Sequence, residues 1–228
     1  MSDRISLARN LDDVRERMAA AAARVGRPMP TLLAVTKSCD DDTFRTMLSL
    51  GVSAVGENRA RQCEARHELI KEVGASCEMH FIGSLQKNKA KYLVGRIALL
   101  HSLDSIGLAE ELDRLSIKRG IKTPVLLEIN SGREENKGGV MPEAIDEFAA
   151  RVSAFQGLSV RGIMTMAPNL DLPEEYRPYF SETRRAFERL TPYFDTDTPI
   201  LSMGMTDSFE LAIEEGATMV RVGSALFR

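Results

Sequence analysis

Cysteine is scarce in this chain, and the three present, Cys39, Cys63 and Cys77, are odd in number and form no close pair. That pattern argues against a disulfide framework and against a paired-cysteine zinc site. Histidine is equally scarce: His67, His80 and His101 are spaced too widely to resemble a ligand cluster, so no metal is expected. No apolar run approaches the length of a membrane span. Met1-Ser2-Asp3-Arg4 leads straight into an amphipathic segment without the apolar core of a signal peptide, so a reducing, cytoplasmic setting is expected. A net charge of −3 offers neither nucleic acid nor a membrane an obvious basic surface. What remains is an ordinary soluble composition, 43% hydrophobic and 28% charged over 228 residues, long enough for one large core.

Periodicity supplies the organisation. Leu7, Leu11, Val14, Met18 and Val25 recur at helical spacing, which predicts a helix from about Asp3 to about Val25, ended by Gly26 and Pro28. It could cap the end of a barrel or lie along its side. Short apolar runs then alternate with helical patterns. Strands are expected at Thr31–Lys37, Val52–Glu57, Glu78–Ile82, Ile97–Leu103, Pro124–Asn130, Leu158–Met166, Pro199–Leu201 and Thr218–Val222. Between them, helical faces are predicted from Phe44, Met47 and Leu48, from Leu108, Leu112 and Leu115, from Ile145, Phe148, Val152 and Phe155, and from Tyr176, Phe180, Thr183, Phe187 and Leu190. A mostly polar helix is expected up to about Val73, and another rich in Lys and Gln after Gly83-Ser84. Eight strands alternating with helices predict a single (βα)₈ barrel: a helical segment over 1–27, then the barrel over 31–228. An open doubly wound sheet usually has fewer strands, and no G-x-G-x-x-G or P-loop follows the first one.

In such a barrel the functional residues lie where strands turn into helices. Lys37 closes the first apolar strand, where burial would favour a neutral amine able to form a Schiff base; the plainer alternative is that it snorkels to solvent. Asn58, His80 with Gly83, Asn130, and Met166 with Pro168 occupy the corresponding places on later strands. The loops after strands seven and eight are where barrels usually bind phosphate. There Gly204 and Gly223 allow close backbone approach, while Ser202, Thr206 and Ser224 offer hydroxyls. Capping is the alternative, since Asp207 and Glu210 have capping-box spacing. Arg221 is the lone charge of an apolar strand and needs a partner: a ligand such as a pyridine nitrogen, or a salt bridge to Glu57 or Glu128.

Several motifs occur in order: Ala34-Val35-Thr36-Lys37, Gly56-Glu57-Asn58, His80-Phe81-Ile82-Gly83-Ser84-Leu85-Gln86-Lys87-Asn88-Lys89, His101-Ser102-Leu103-Asp104-Ser105, Ser202-Met203-Gly204-Met205-Thr206-Asp207 and Val220-Arg221-Val222-Gly223-Ser224-Ala225-Leu226-Phe227. Together they resemble the pyridoxal phosphate homeostasis proteins, the YggS/PROSC family, over nearly the whole chain after the first helix. The resemblance implies a barrel similar to the N-terminal domain of alanine racemase, with pyridoxal 5′-phosphate as cofactor. It implies a Schiff base on Lys37, Asn58 beside the ring, and Arg221 at the pyridine nitrogen. Ser202, Met203, Gly204, Gly223 and Ser224 would belong to the cofactor site, the serines and glycines holding its phosphate. The chain departs from the family at Ser224, where threonine is more usual, at Asn136, where a serine more often precedes the lysine, and in the looser Met164-Thr165-Met166-Ala167-Pro168.

The resemblance also implies a role in supplying pyridoxal phosphate inside the cell, with apo-forms of enzymes that use it as partners. A holder of the cofactor is expected, as a monomer and without substrate turnover. An arginine at the pyridine nitrogen weakens the ring as an electron sink, and a racemase needs a second acid/base on the opposite face. The alternative is a small racemase-like amino-acid enzyme whose second base is His80 or Lys137, although His80 could equally be a packed strand residue.

Overall fold

The computed structural model describes residues 4–227. Its centre is a closed barrel of eight parallel strands in sequence order: β1 (Thr31–Val35), β2 (Ala54–Glu57), β3 (Glu78–Phe81), β4 (Leu99–Leu103), β5 (Thr123–Ile129), β6 (Leu158–Thr165), β7 (Ile200–Ser202) and β8 (Met219–Val222). Each strand pairs with the next, and β8 closes on β1 through Leu32 opposite Val220 and Leu33 opposite Arg221. The expected (βα)₈ barrel is the observed architecture.

Helices α2 (Asp41–Ser49), α3 (Ala60–Glu72), α4 (Ile106–Lys118), α5 (Ile145–Ser153), α6 (Arg177–Leu190) and α7 (Phe209–Glu214) follow strands, and the short α8 (Ser224–Phe227) follows β8. Asp40 starts α2 by accepting from the Thr43 amide at 2.8 Å, and Gly51, at φ +75°, follows its end. Phe44, Met47 and Leu48 of α2 are buried as their spacing predicts, and so are Leu108, Leu112 and Leu115 of α4. Burying each of these large side chains contributes about 1.5–3 kcal/mol before entropy is counted.

The preceding helix α1 (Arg4–Arg24) lies along the side of the barrel against α7 and α8, with Leu7, Leu11, Val14 and Met18 inward. The predicted start at Asp3 lies outside the described residues. Val25 is exposed beyond the last turn, and Ala21 and Ala22 complete the buried face instead.

Three other expectations are corrected. The stretch rich in Lys and Gln is a 3₁₀ turn, Lys87–Tyr92, because it buries only Ala90 and has no apolar stripe to hold an α-helix. Tyr176 and Phe155 lie outside α6 and α5: Tyr176 ends a 3₁₀ turn stacked on Phe180, and Phe155 follows the last turn half-buried. Asp207 does not cap α7, which starts after Ser208.

The outer core lies between strands and helices. Inside the barrel two small apolar clusters, Leu33–Ala54–Met219 and Leu99–Leu126–Met164, both touch Ile200. Polar side chains fill much of the remaining interior.

Candidate functional site

The C-terminal ends of the strands open onto an upper cavity of about 440 Å³. Its wall includes Lys37 after β1, Asn58 after β2, Met166 after β6, Arg221 at the end of β8, and Gly223 and Ser224 leading into α8. Five of the eight residues that the resemblance assigned to the cofactor site therefore meet on one surface.

Lys37 is exposed rather than buried, because β1 ends two residues earlier and the chain has turned outward. The loop behind it is nonetheless fixed. Thr36 donates to buried Glu57 at 2.6 Å, and Arg66 donates to the Cys39 carbonyl at 2.7 Å and to Asp41 at 2.5 Å. Arg66 also lies over the Phe44 ring, 4.4 Å from its centroid. Burial raises the pKa of Glu57 against the opposing influence of Thr36 and Arg66, whose Nε is 3.9 Å away. Glu57 thus braces the lysine loop and does not pair with Arg221. Gly83 is required on the neighbouring loop, since a Cβ there would collide with the Asn58 carbonyl oxygen.

Arg221 is buried, and its guanidinium is held by the Ser202 carbonyl at 3.0 Å, the Ser202 hydroxyl at 2.9 Å and the Thr165 carbonyl at 2.8 Å. Burial lowers its pKa to about 10, with the charge of Glu128 opposing the shift, so it stays cationic at neutral pH. The salt bridge to Glu57 or Glu128 considered from the sequence does not form: backbone and hydroxyl oxygens hold the guanidinium instead. Burial, then Asp104, push Glu128 up to about 7, while Arg221 pulls it down.

Ser202, Met203 and Gly204 do not line the upper cavity. The Ser202 hydroxyl is committed to Arg221 and His101, and the Met203 side chain joins the outer core. Gly204, at φ +88°, packs so closely on α7 that a Cβ would lie 2.5 Å from that of Ala212. Met205, Thr206 and Asp207 line the cavity instead.

His80 is a packed strand residue. It does not reach the upper cavity but points into the barrel, where its Nδ1 lies 2.9 Å from His101 Nε2. His101 Nδ1 lies 3.2 Å from the Ser202 hydroxyl, and His80 Nε2 lies 3.2 Å from a Glu78 carboxylate oxygen. Burial, together with the charges of His80 and Arg221, holds His101 well below the ordinary imidazole range, so it is neutral. Arg221 can only donate and ionised Glu78 can only accept. The arrangement giving every link one hydrogen therefore runs in a single direction, Arg221 to Ser202 to His101 to His80 to Glu78. Sequence reasoning missed this thread because its members lie on β3, β4, β7 and β8 and meet only when the barrel closes.

Lys137 is exposed and paired with Glu134 at 2.6 Å on a loop tied by Asn130, whose side-chain amide donates to the Glu134 carbonyl at 2.9 Å. Like His80, it is absent from the wall of the Lys37 cavity. Among the described residues, no helix is long and apolar enough to cross a membrane.

Comparison with known proteins agrees with the fold. Residues 9–228 match the family model described as "Alanine racemase, N-terminal domain". The pyridoxal phosphate homeostasis protein of Aquifex aeolicus is 41% identical over 219 residues, 95% of each chain. The protein of that name from Escherichia coli K12 is 36% identical over 232 residues, 97% of this chain and 95% of the other. Among solved structures, PipY of Synechococcus elongatus PCC7942 with pyridoxal phosphate bound superposes with a TM-score of 0.81 at 30% identity, covering 94% of this chain and all of PipY. With similarity of this depth along the whole barrel, the chain belongs to the pyridoxal phosphate homeostasis proteins within the alanine racemase N-terminal domain family.

Proposed function

We propose that the chain binds pyridoxal 5′-phosphate in the upper cavity and serves its supply to other proteins without turning over a substrate. The observation that carries this reading is the meeting of Lys37, Asn58, Arg221, Gly223 and Ser224 on one wall. The residues present fit the cofactor. An exposed primary amine stands where an aldehyde can reach it, and a fixed cationic donor stands below. The Ser224 hydroxyl, beside Gly223 on the same wall, suits a phosphate. Bound there, the cofactor would contribute a reactive aldehyde and an electron-withdrawing ring.

The protein's part is positional. Lys37 supplies the amine that captures the aldehyde. Thr36, Glu57 and Arg66 hold its loop, which matters because the lysine itself is exposed. Ser202 acts from behind by fixing Arg221, not by touching the phosphate. Arg221 donates to an acceptor but does not surrender its proton at neutral pH, so it would orient the pyridine nitrogen without protonating it. That His80 and Lys137 stand off this wall weighs against the racemase-like alternative, which looked to them for its second base. Apo-forms of pyridoxal phosphate enzymes are the recipients this reading implies.

The test is the visible spectrum of the purified chain, before and after borohydride, beside Lys37→Ala. The expected result is an absorbance band that borohydride bleaches, with the cofactor then covalently fixed to Lys37 and no band in the variant. A colourless chain that takes up no added pyridoxal phosphate would overturn the reading. Lys37-dependent formation of a D-amino acid from its L-isomer would restore the racemase alternative.

A further inference from the structure

At the other end of the barrel lies a second cavity, of about 660 Å³, lined by the N-terminal ends of the strands. Its chemistry differs from that of the upper mouth. Arg161 lines it from β6, half-buried, and the Arg161 Nε is enclosed without any hydrogen-bond partner. An enclosed guanidinium nitrogen left unpaired is costly unless an acceptor arrives.

A local device puts Arg161 there. The register of β5 on β6 passes from Val125 opposite Val160 directly to Leu126 opposite Gly162, so Arg161 is an extra, bulged residue. Val160 belongs to the outer core, while Leu126 and Met164 face the barrel interior; the bulge turns Arg161 to the mouth. Gly162 permits it at φ +145°, where a Cβ would fall on the Ile200 carbonyl oxygen. Bulges in parallel sheets are rare, and those at barrel rims commonly re-aim a side chain.

Across the mouth stands Glu78. One of its carboxylate oxygens accepts from His80 Nε2, and its side chain is 68% exposed. Beside the two charges the lining carries Leu99, Ile200 and Met219, with Thr31, Thr198 and Thr218 among the polar groups. We infer that this lower mouth binds a zwitterionic amino acid with an aliphatic side chain. Its carboxylate sits on the Arg161 guanidinium, its ammonium on Glu78, and its hydrocarbon on Leu99, Ile200 and Met219. Planar guanidinium and carboxylate groups match in a two-point contact. A free acid would place a second negative charge near Glu78, and a free amine would leave Arg161 unsatisfied. Because Glu78 ends the hydrogen-bonded thread, the ligand would also touch the group on which His80 and His101 depend.

The site is independent of the cofactor reading, and the experiment keeps them apart. L-Leucine, 4-methylpentanoate (no amine) and 3-methylbutylamine (no carboxylate) are titrated into the full chain as purified and into Lys37→Ala. Binding is followed by calorimetry and by ¹⁵N signals of the three histidines. Leucine is expected to bind both proteins alike, more tightly than either half-molecule, and to shift His80 and His101 but not His67. Arg161→Gln, which removes an Nε without a hydrogen-bond partner, is expected to weaken leucine by at least about tenfold, as loss of a charged two-point contact implies. Glu78→Gln should abolish the preference for leucine over 4-methylpentanoate. Leucine binding that vanishes in Lys37→Ala, that survives Arg161→Gln unchanged, or that leaves His80 unmoved would overturn the inference.

Discussion

The two mouths of this barrel are made by the same eight strands, yet their charges have opposite circumstances. At the upper mouth Arg221 is buried and held from behind by Ser202 and Thr165, and Glu128 is pushed up to about 7 by desolvation. At the lower mouth Arg161 keeps a nitrogen without a partner, while the pKa of Glu78 is lowered, chiefly by its hydrogen bond from His80. A charge held from behind is a fixed instrument that orients whatever lies above it. An unsaturated one is a vacancy in the hydrogen-bond account, which a ligand can fill. One strand architecture thus offers a pre-set site and an open one, joined by a thread of four hydrogen bonds.

The comparison breaks most severely at Gly162. Gly162→Ala forces a Cβ onto the Ile200 carbonyl at a backbone angle that side chains rarely adopt. The loss expected is about 3 kcal/mol or more, since strain and a steric clash act together. Gly26→Ala is the control, a positive-φ glycine with open space around it, for which about 1 kcal/mol is expected. Urea unfolding of both variants measures the difference; equal losses would mean that the bulge is soft and that Arg161 is not held in place.

A smaller effect tests whether the mouths are connected. His101→Leu leaves the Ser202 hydroxyl and His80 Nδ1 facing a side chain that can neither donate nor accept. About 1–3 kcal/mol is the usual cost of stranding a buried polar group. The informative reading is local: ¹⁵N signals of the Arg221 guanidinium should move although the substitution lies a residue away from it in the thread. An unmoved Arg221 would mean that the two ends are merely neighbours.

Much of the upper mouth was legible in the sequence, because it is written in local terms. Strand ends carry Lys37, Asn58 and Arg221 at successive βα turns, and an alternation of short apolar runs with helical faces sets the barrel. The lower mouth was not legible in that way. A Glu, a His and an Arg on different strands meet only through barrel closure, and apolar spacing says nothing about which residues face each other across the axis. One local sign existed: Arg161-Gly162 sets a charge beside a glycine inside a strand, a combination that marks a bulge. Lys37 follows the plainer of its two readings for a related reason. Its run of apolar neighbours implied burial, but the strand ends at Val35 and only Thr36 stays inside. Met203 sits within a site motif, and the fold uses its side chain for packing.

The smallest effect separates the two carboxylates by the sign of their pH dependence. Glu128 titrates near 7 in the folded chain and near 4.5 when unfolded. Between those values the unfolded state gives up a proton that the folded state keeps, so stability falls as pH rises from about 4.5 to about 7 and is level beyond. The groups bearing on Glu128 are Asp104, which deepens the penalty, and Arg221, which relieves it. Glu78 works the other way: its lowered folded value contributes stability above pH 4.5 that is lost only as the pH drops through that lower value. Glu128→Gln should therefore flatten the wild-type decline between pH 5 and pH 7.5, with a gain at the upper end of at most roughly 3 kcal/mol by the conversion of about 1.4 kcal/mol per pKa unit. Glu78→Gln should leave that window's slope intact. Urea midpoints at four pH values decide it, and parallel curves for wild type and Glu128→Gln would show that Glu128 is ionised in the folded chain throughout, which would make the upper mouth as open to solvent as the lower one.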